Sequence, residues 1–244
     1  MAQSLPVVHP TERGIVVKRE LVVMVSLAAA LLIAVPTAGA QELPPDCAVP
    51  PEIDLSQYNV IIGTNASETL VGTEGPDFIC ALLGDDVVFA LGGDDLILGD
   101  TTTFFGNVQA PGGNDTIFAG AGNDEVLPGP GDDTVNGGSG DDFLALAVGN
   151  DVGQGGQGSD GIIGGFGQDV VLGGPGDDFL AGGFDDDLIN GGPGDDFLAG
   201  ELPPDSPPPP VPAEPSENDR CIGASGFDTA LECDRTNAVE EVQG

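Results

Sequence analysis

The chain has no tryptophan, one tyrosine, one histidine and only five lysines and arginines among 244 residues. His9, Arg13, Lys18 and Arg19 all lie in the first twenty positions, and Arg220 and Arg235 are the remaining bases. From residue 41 onward there is neither lysine nor histidine. That absence excludes a histidine general base, a lysine Schiff base and His-ligated zinc. Against the five bases stand 41 acids, for a formal charge of −36. A surface this acidic repels phosphates, so nucleic acid is excluded as a partner, and the natural small partners are cations.

Long apolar runs are also missing, with one exception. Leu21–Val35 is interrupted only by Ser26. At 15 residues it falls short of the ~20 needed to cross a bilayer. Lys18 and Arg19 precede it and Ala38-Gly39-Ala40 follows, the order of an export signal with an A-x-A cleavage site. Residues 1–40 are therefore expected to be a signal peptide, and the protein to be secreted, extracellular or at the cell surface, with no membrane span after cleavage. Removing three bases and two acids with the leader takes the charge to −37. The four cysteines, Cys47, Cys80, Cys221 and Cys233, then meet an oxidising environment. Of their three possible pairings, Cys47–Cys80 with Cys221–Cys233 is expected, one near each end of the central segment.

That segment is repetitive. Laid out in nines from Gly63, it gives four units to Leu98, an 11-residue interruption at 99–109 (GDTTTFFGNVQ), and ten more units from Ala110 to Ala199. Position 4 is glycine in 12 of the 14 units, position 6 is aspartate in 13, and position 8 is Leu, Ile or Val in 13. Ala66 and Asp185 depart at position 4, Glu68 at position 6 and Gly153 at position 8. GGPGDDFLA occurs twice without change, at 173–181 and 191–199, 18 residues apart.

The pattern G-G-x-G-x-D-x-(large apolar)-x resembles the calcium-binding nonapeptide of RTX, or haemolysin-type, repeat proteins. The resemblance implies an all-β fold, a right-handed parallel β-roll with two nonapeptides per turn. Six residues of each unit would form a loop and three a strand. Calcium would sit between loops stacked on one edge, a full turn apart. The chemistry suits this: Ca²⁺ takes 6–8 oxygens, and glycine lets a loop turn its carbonyls toward one point. The candidate ligands on one edge are Asp115, Asp133, Asp151, Asp169 and Asp187, and on the other Asp124, Asp142, Asp160, Asp178 and Asp196, with Glu68/Asp86 and Asp77/Asp95 as shorter versions before the interruption. With Glu68 pairing Asp86, same-edge neighbours give at most about ten ions. Stacked aspartates repel one another and glycine is costly to order, so folding should depend on the metal.

Flanking segments complete the organisation. Residues 41–62 read as an N-terminal cap, 200–217 as a Pro-rich linker, and 218–244 as a C-terminal cap. A degenerate unit at Gly223–Leu231 carries Gly226 and Asp228 in register. Outward positions 7 and 9 make one face apolar, with Phe143, Phe179 and Phe197, a candidate surface for self-association or an apolar partner. RTX-like enzymes and toxins carry a separate catalytic or pore-forming domain. Here the flanks are too short for one, and neither H-E-x-x-H nor G-x-S-x-G beside a usable histidine occurs. The reading is a non-enzymatic, calcium-folded extracellular module serving adhesion, surface or matrix structure, or calcium sequestration. The alternative is a calcium-dependent enzyme, or an accessory domain of one, acting on polysaccharide.

Overall fold

The protein is described from a computed structural model, covering residues 43–47, 49–50, 53–100, 112–201, 219–224, 229–231, 233, 235–237 and 241–243. Residues 1–40, expected to be a signal peptide, most of the Pro-rich stretch, Gly226 and Asp228 lie outside the described residues. Each nonapeptide contributes one strand. In chain order they are β1 (Asn59–Ile62), β2 (Thr69–Val71), β3 (Asp77–Cys80), β4 (Val87–Gly92), β5 (Leu96–Leu98), β6 (Thr116–Ala121) and β7 (Glu125–Leu127). There follow β8 (Thr134–Ser139), β9 (Phe143–Val148), β10 (Val152–Gln157), β11 (Gly161–Phe166), β12 (Val170–Leu172), β13 (Phe179–Phe184), β14 (Leu188–Asn190) and β15 (Phe197–Glu201). Beyond the Pro-rich stretch come β16 (Arg220–Ile222), β17 (Thr229–Leu231), β18 (Arg235–Asn237) and β19 (Glu241–Gln243).

Odd-numbered strands form a ten-stranded sheet and even-numbered strands a nine-stranded one. Every pairing is parallel and joins residues one turn apart, as in Val152↔Val170 and Phe179↔Phe197. The result is an all-β parallel solenoid, with almost no helix among the described residues. Position 8 points inward along both sheets. Ile79, Val88, Ile97, Ile117, Val126, Val135, Leu144, Ile162, Val171, Leu180, Ile189 and Leu198 are all buried in a single core. The row continues beyond the repeats through Cys221 and Ala230.

Gly153, the one gap in that row, has a local cause. Leu146, at position 1 of the same unit, is fully buried in the core. A Cβ on Gly153 would sit 2.8 Å from Leu146 Cδ1 and 3.2 Å from Ile162 Cγ2. Leucine fills the volume that glycine leaves, and the packing density of the core is kept.

Register is kept across both insertions. β4 pairs with β6 as Val87↔Thr116, and β14 with β16 as Leu188↔Arg220. The chain leaves and re-enters at the loops, where no ladder bond is broken. The first excursion falls two residues later than the repeat alignment puts it. Gly99 N–H donates to Leu127 O and Asp100 N–H to Pro128 O, the bonds that positions 1 and 2 make elsewhere. The loop therefore runs Gly99-Asp100, excursion 101–111, Gly112-Gly113-Asn114-Asp115, and the boundary 99–109 is corrected accordingly. Strands β16 to β19 join the same two sheets, so the C-terminal segment extends the roll.

The first strands of the ten-stranded sheet are covered on their outer face. Leu43, Val49, Ile53, Leu55 and Tyr58 pack on Phe78, Cys80, Leu96 and Leu98. Disulfide Cys47–Cys80 staples this cap to the outward position 9. Disulfide Cys221–Cys233 instead ties into the inner core row at the other end.

The expected apolar face is less open than its composition implies. Phe143, Phe179 and Phe197 are half-buried. Phe179 and Phe197 stack at 5.1 Å, nearly parallel, and Phe143 leans over Gly161. Among the described residues the exposed large apolar side chains, Val71, Phe89, Leu91, Phe118 and Val152, all belong to the nine-stranded sheet. Ring stacking along parallel strands accounts for the aromatic repeat.

Candidate metal centre

The loops between strands are built by backbone conformation. Positions 2 and 4 take the left-handed region, as at Gly138 (φ 111°) and Gly140 (φ 127°). A Cβ at Gly140 would overlap the carbonyl oxygen of Gly122, one turn earlier. Four residues hold the same conformation without being glycine: Leu82 (72°), Leu91 (82°) and Ala147 (79°) at position 2, and Asp185 (77°) at position 4. Each carries the strain of an L-residue there.

Position 6 is buried throughout. The thirteen candidate aspartates, from Asp77 to Asp196, are at most 3% exposed. One oxygen of each is used structurally. Asp133 Oδ1 accepts from Asp115 N–H at 2.7 Å, Asp151 Oδ1 from Asp133 N–H at 2.8 Å, and so on at 2.7 to 3.0 Å along both edges. The ladder crosses both insertions, through Asp86 N–H to Asp115 Oδ1 and Asp187 N–H to Asp219 Oδ1. Asp219 thus stands where a repeat aspartate would, a residue that the nonapeptide register did not pick out.

The other oxygen has no such partner. Oδ2 of Asp86, Asp95, Asp115, Asp124, Asp133, Asp142, Asp151, Asp160, Asp169, Asp178 and Asp187 is buried and makes no hydrogen bond. A buried charged oxygen without a partner costs several kcal/mol. The carboxyls respond accordingly. Burial pushes Asp133 and Asp187 up to about 8 and Asp151 up to about 9, with neighbouring aspartates adding to the rise. Asp95, Asp115, Asp142, Asp169 and Asp178 rise to about 7 and Asp124 to about 6, again chiefly through burial.

These oxygens border gaps lined by carbonyls. Between the loops of Asp142 and Asp160, the carbonyls of Gly138 and Gly140 aim at Gly156 and Gly158 of the next turn. From that turn, Gly155 O points back to within 2.7 Å of where a Cβ on Gly137 would lie, and Gln157 O accepts from Gly140 N–H. A Cβ on Gly137 would also overlap Asp142 Oδ2, so glycine at position 1 keeps the cradle open. This pair of loops therefore offers backbone carbonyls together with the carboxylates of Asp142 and Asp160, a donor set of the hard-oxygen kind that Ca²⁺ takes. Among the described residues no three acidic or sulfur or imidazole side chains converge on their own, so such a site depends on the main chain.

The first turn differs. Asp77 Oδ2 already accepts from Thr73 N–H at 2.5 Å, and Asp77 Oδ1 accepts from the Asn59 amide at 2.6 Å. Glu68 Oε1 likewise accepts from Thr64 N–H. Threonine at position 2 folds its N–H onto the acid of its own unit, and the amide of Asn59 ends the acidic column.

A second ladder runs outside the first, at position 5. Asp132 N–H donates to Asn114 Oδ1, Asn150 N–H to Asp132 Oδ1, and Asp141 N–H to Asn123 Oδ1, at 2.9 to 3.0 Å. Here each side chain reaches toward the following turn, whereas the position-6 side chains reach toward the preceding one. The signal was the frequency of Asp, Asn and Ser at position 5, short side chains that bond nearby backbone.

Glycine loops that stack buried carboxylates between two parallel sheets define a calcium-type β-solenoid. The RTX calcium-binding nonapeptide repeat matches residues 62–97, 112–144, 129–153, 147–180 and 172–202, together just over half of the chain. The chain belongs to that family. The unmatched interval between 97 and 112 contains the insertion at 101–111. No curated protein matches the chain. Among the described residues no helix is long and apolar enough to cross a membrane.

Proposed function

We propose that this is an exported, non-enzymatic protein whose roll orders on calcium, with position-6 aspartates and loop carbonyls as ligands. The observation that carries the reading is the double row of buried Asp Oδ2 atoms without hydrogen-bond partners, facing gaps lined by carbonyl oxygens. Bound calcium supplies the positive charge that lets these carboxylates remain ionised while buried. The chain's own groups do the rest. Oδ1 holds each loop to the preceding turn, positions 2 and 4 turn their carbonyls into the gap, and position 8 excludes water from the interior. Ten same-edge pairs lie within the uninterrupted runs, the ladder adds Asp86/Asp115, Asp95/Asp124 and Asp187/Asp219 across the insertions, and the neutral Asn59 and the Thr73-bound Asp77 argue for fewer ions at the first turn.

Two disulfides and the absence of lysine and histidine after residue 40 support an extracellular setting without acid–base chemistry. Calcium at ~10⁻⁴–10⁻³ M, the range of extracellular modules, would then act as the folding trigger after export. The product is a stiff module suited to surface or matrix structure or to holding calcium. The test is a calcium titration followed by circular dichroism and calorimetry. A gain of β signal with heat of binding is expected, and its absence at millimolar calcium would overturn the reading.

A further inference from the structure

The nine-stranded sheet differs from the rest of the molecule in charge. None of its strands, from β2 to β18, contains an aspartate or a glutamate. Arg220 and Arg235, the two bases beyond residue 40, both lie in it and pair with each other in register. The strands of the ten-stranded sheet, by contrast, include Asp77, Glu125, Glu201 and Glu241. The acid-free sheet also holds all the exposed large apolar side chains among the described residues. Phe89 and Phe118 stack at 5.1 Å, yet they remain 37% and 40% exposed, and Val71, paired with Phe89, is 55% exposed. At the end of β4, Leu91 keeps an exposed side chain on left-handed backbone, where its partner one turn later is Gly120. The core gives no reason for strain at an exposed leucine.

Strand order gives this face a direction. The middle strand of the nine is β10, with Val152 and Gln154 exposed. The aromatic rings lie toward β2, and the exposed Arg220 lies on the far side, on β16. A twofold axis running along β10, between two copies laid face to face, sets β4 against β16 and β6 against β14. Phe89 then meets Arg220 and Ile222, and Phe118 meets Leu188, a ring against a cation and a ring against an aliphatic. A twofold running along the roll would instead set Arg220 on Arg220, like charge on like.

We propose that the outer face of the nine-stranded sheet is where two copies of the chain pair, the strand order of one reversed on the other. The inference needs the folded roll but not the identity of what fills its loops. In a chain with 41 acids, a second copy is repelled least by a face that carries none. Nine strands at ~4.8 Å spacing make a strip ~40 Å long and ~10 Å wide. Two such strips bury about 800–1,000 Å² in total, the low end for a specific interface, so the pair is weak and concentration-dependent. Exposed Asp85, Asp94, Asp132 and Asp141 stand in the loops on either side, and salt strengthens the pair by screening them.

The experiment is sedimentation equilibrium of the full chain over a concentration series, at the calcium level that gives the full β spectrum. Phe89→Ser, Gln154→Glu and Gln154→Lys are compared with Phe179→Ser on the other sheet. The parent is expected to show a monomer–dimer equilibrium that tightens with salt. Phe89→Ser should weaken it about tenfold or more, and Phe179→Ser should leave it unchanged. A charge of either sign at Gln154 meets its own copy across β10, so both variants should also weaken it about tenfold or more. Gln154 is exposed, and glutamate keeps the acceptor for the Asn136 amide, so that variant opens no cavity and loses no bond. A parent that stays monomeric throughout overturns the inference. A dimer that Phe179→Ser disrupts and Phe89→Ser spares overturns it as well. So does a dimer that Gln154→Lys strengthens and Gln154→Glu weakens, because the face would then meet an acidic surface rather than itself.

Discussion

Asp115 donates its backbone N–H to Oδ1 of Asp133 at 2.7 Å, across a full turn of the roll, while Oδ2 of the same carboxyl makes no hydrogen bond. One side chain therefore has two separable tasks. Asp133→Asn retains an acceptor for the ladder and removes the charge. The calcium midpoint for gain of β signal should move about tenfold or more upward, with the folded spectrum unchanged at saturation. Asp133→Ala removes both, leaves the Asp115 N–H unpaired, and should destabilise the calcium-loaded fold by a further ~1–3 kcal/mol in denaturant titrations.

Acidity should substitute in part for the metal. Folded-state carboxyls pushed from 3.8 up to about 7 at Asp115 and about 8 at Asp133 bind protons that the unfolded chain releases near pH 4. Without calcium, this contribution is fully present below the unfolded value. It is lost as pH rises from about 4 through 7 to 8. Calcium-free protein should thus gain β signal when acidified from pH 8 to pH 4, as read by circular dichroism in a chelator effective at both ends. A flat profile would contradict the burial of these carboxyls in the calcium-free fold.

The exchange of volume between Leu146 and Gly153 predicts a coupled pair. Gly153→Ala alone forces a Cβ against Leu146 Cδ1 and should cost ~1–3 kcal/mol. Leu146→Gly alone opens a cavity and should cost ~2–5 kcal/mol. Leu146→Gly with Gly153→Val restores the pattern of the neighbouring units. It should recover much of that loss, giving a coupling energy well outside additivity in a thermal double-mutant cycle.

Backbone strain offers a gain instead of a loss. Ala147 at φ 79° and Asp185 at φ 77° occupy loop positions that are glycine elsewhere. Ala147→Gly should raise the melting temperature of the calcium-loaded protein, by relief of about 1–2 kcal/mol offset in part by unfolded-chain entropy. Asp185→Gly should do the same and remove a negative charge near Asp169 and Asp187.

The regular part of this architecture was legible because three columns have three different physical roles. Glycine at position 4 marks a left-handed turn, aspartate at position 6 a buried ladder, and an aliphatic at position 8 the core, and the exchanges at Asp185 and Gly153 carry backbone strain or a compensating neighbour. Sequence was silent where two alignments satisfy the same columns. Gly99-Asp100 and Ala110-Pro111 both complete the Asp115 unit, and only the bonds to Leu127 and Pro128 decide between them. Asp219 escaped notice for a similar reason, since its loop lies beyond the Pro-rich stretch and carries no glycine pattern to announce it. The role of Leu146 was hidden because position 1 tolerates glycine, alanine and leucine, and its burial depends on a vacancy seven residues away. For Phe179 and Phe197, composition gives the direction of the side chain but not the ring that stacks on it.

The kept register on either side of 101–111 bears on how the roll can go wrong. Ladder bonds close over 11 extra residues at one loop and 14 at another without any shift of register. A whole turn is only 18 residues long, and loop-closure entropy rises slowly with length. With turns this alike, a chain that ejects one entire coil and splices its neighbours together forfeits little hydrophobic contact. It does forfeit the ion gaps on both edges of the missing coil. Under the proposed function, calcium would act as proofreader of the winding, penalising the skipped coil more heavily than packing alone could.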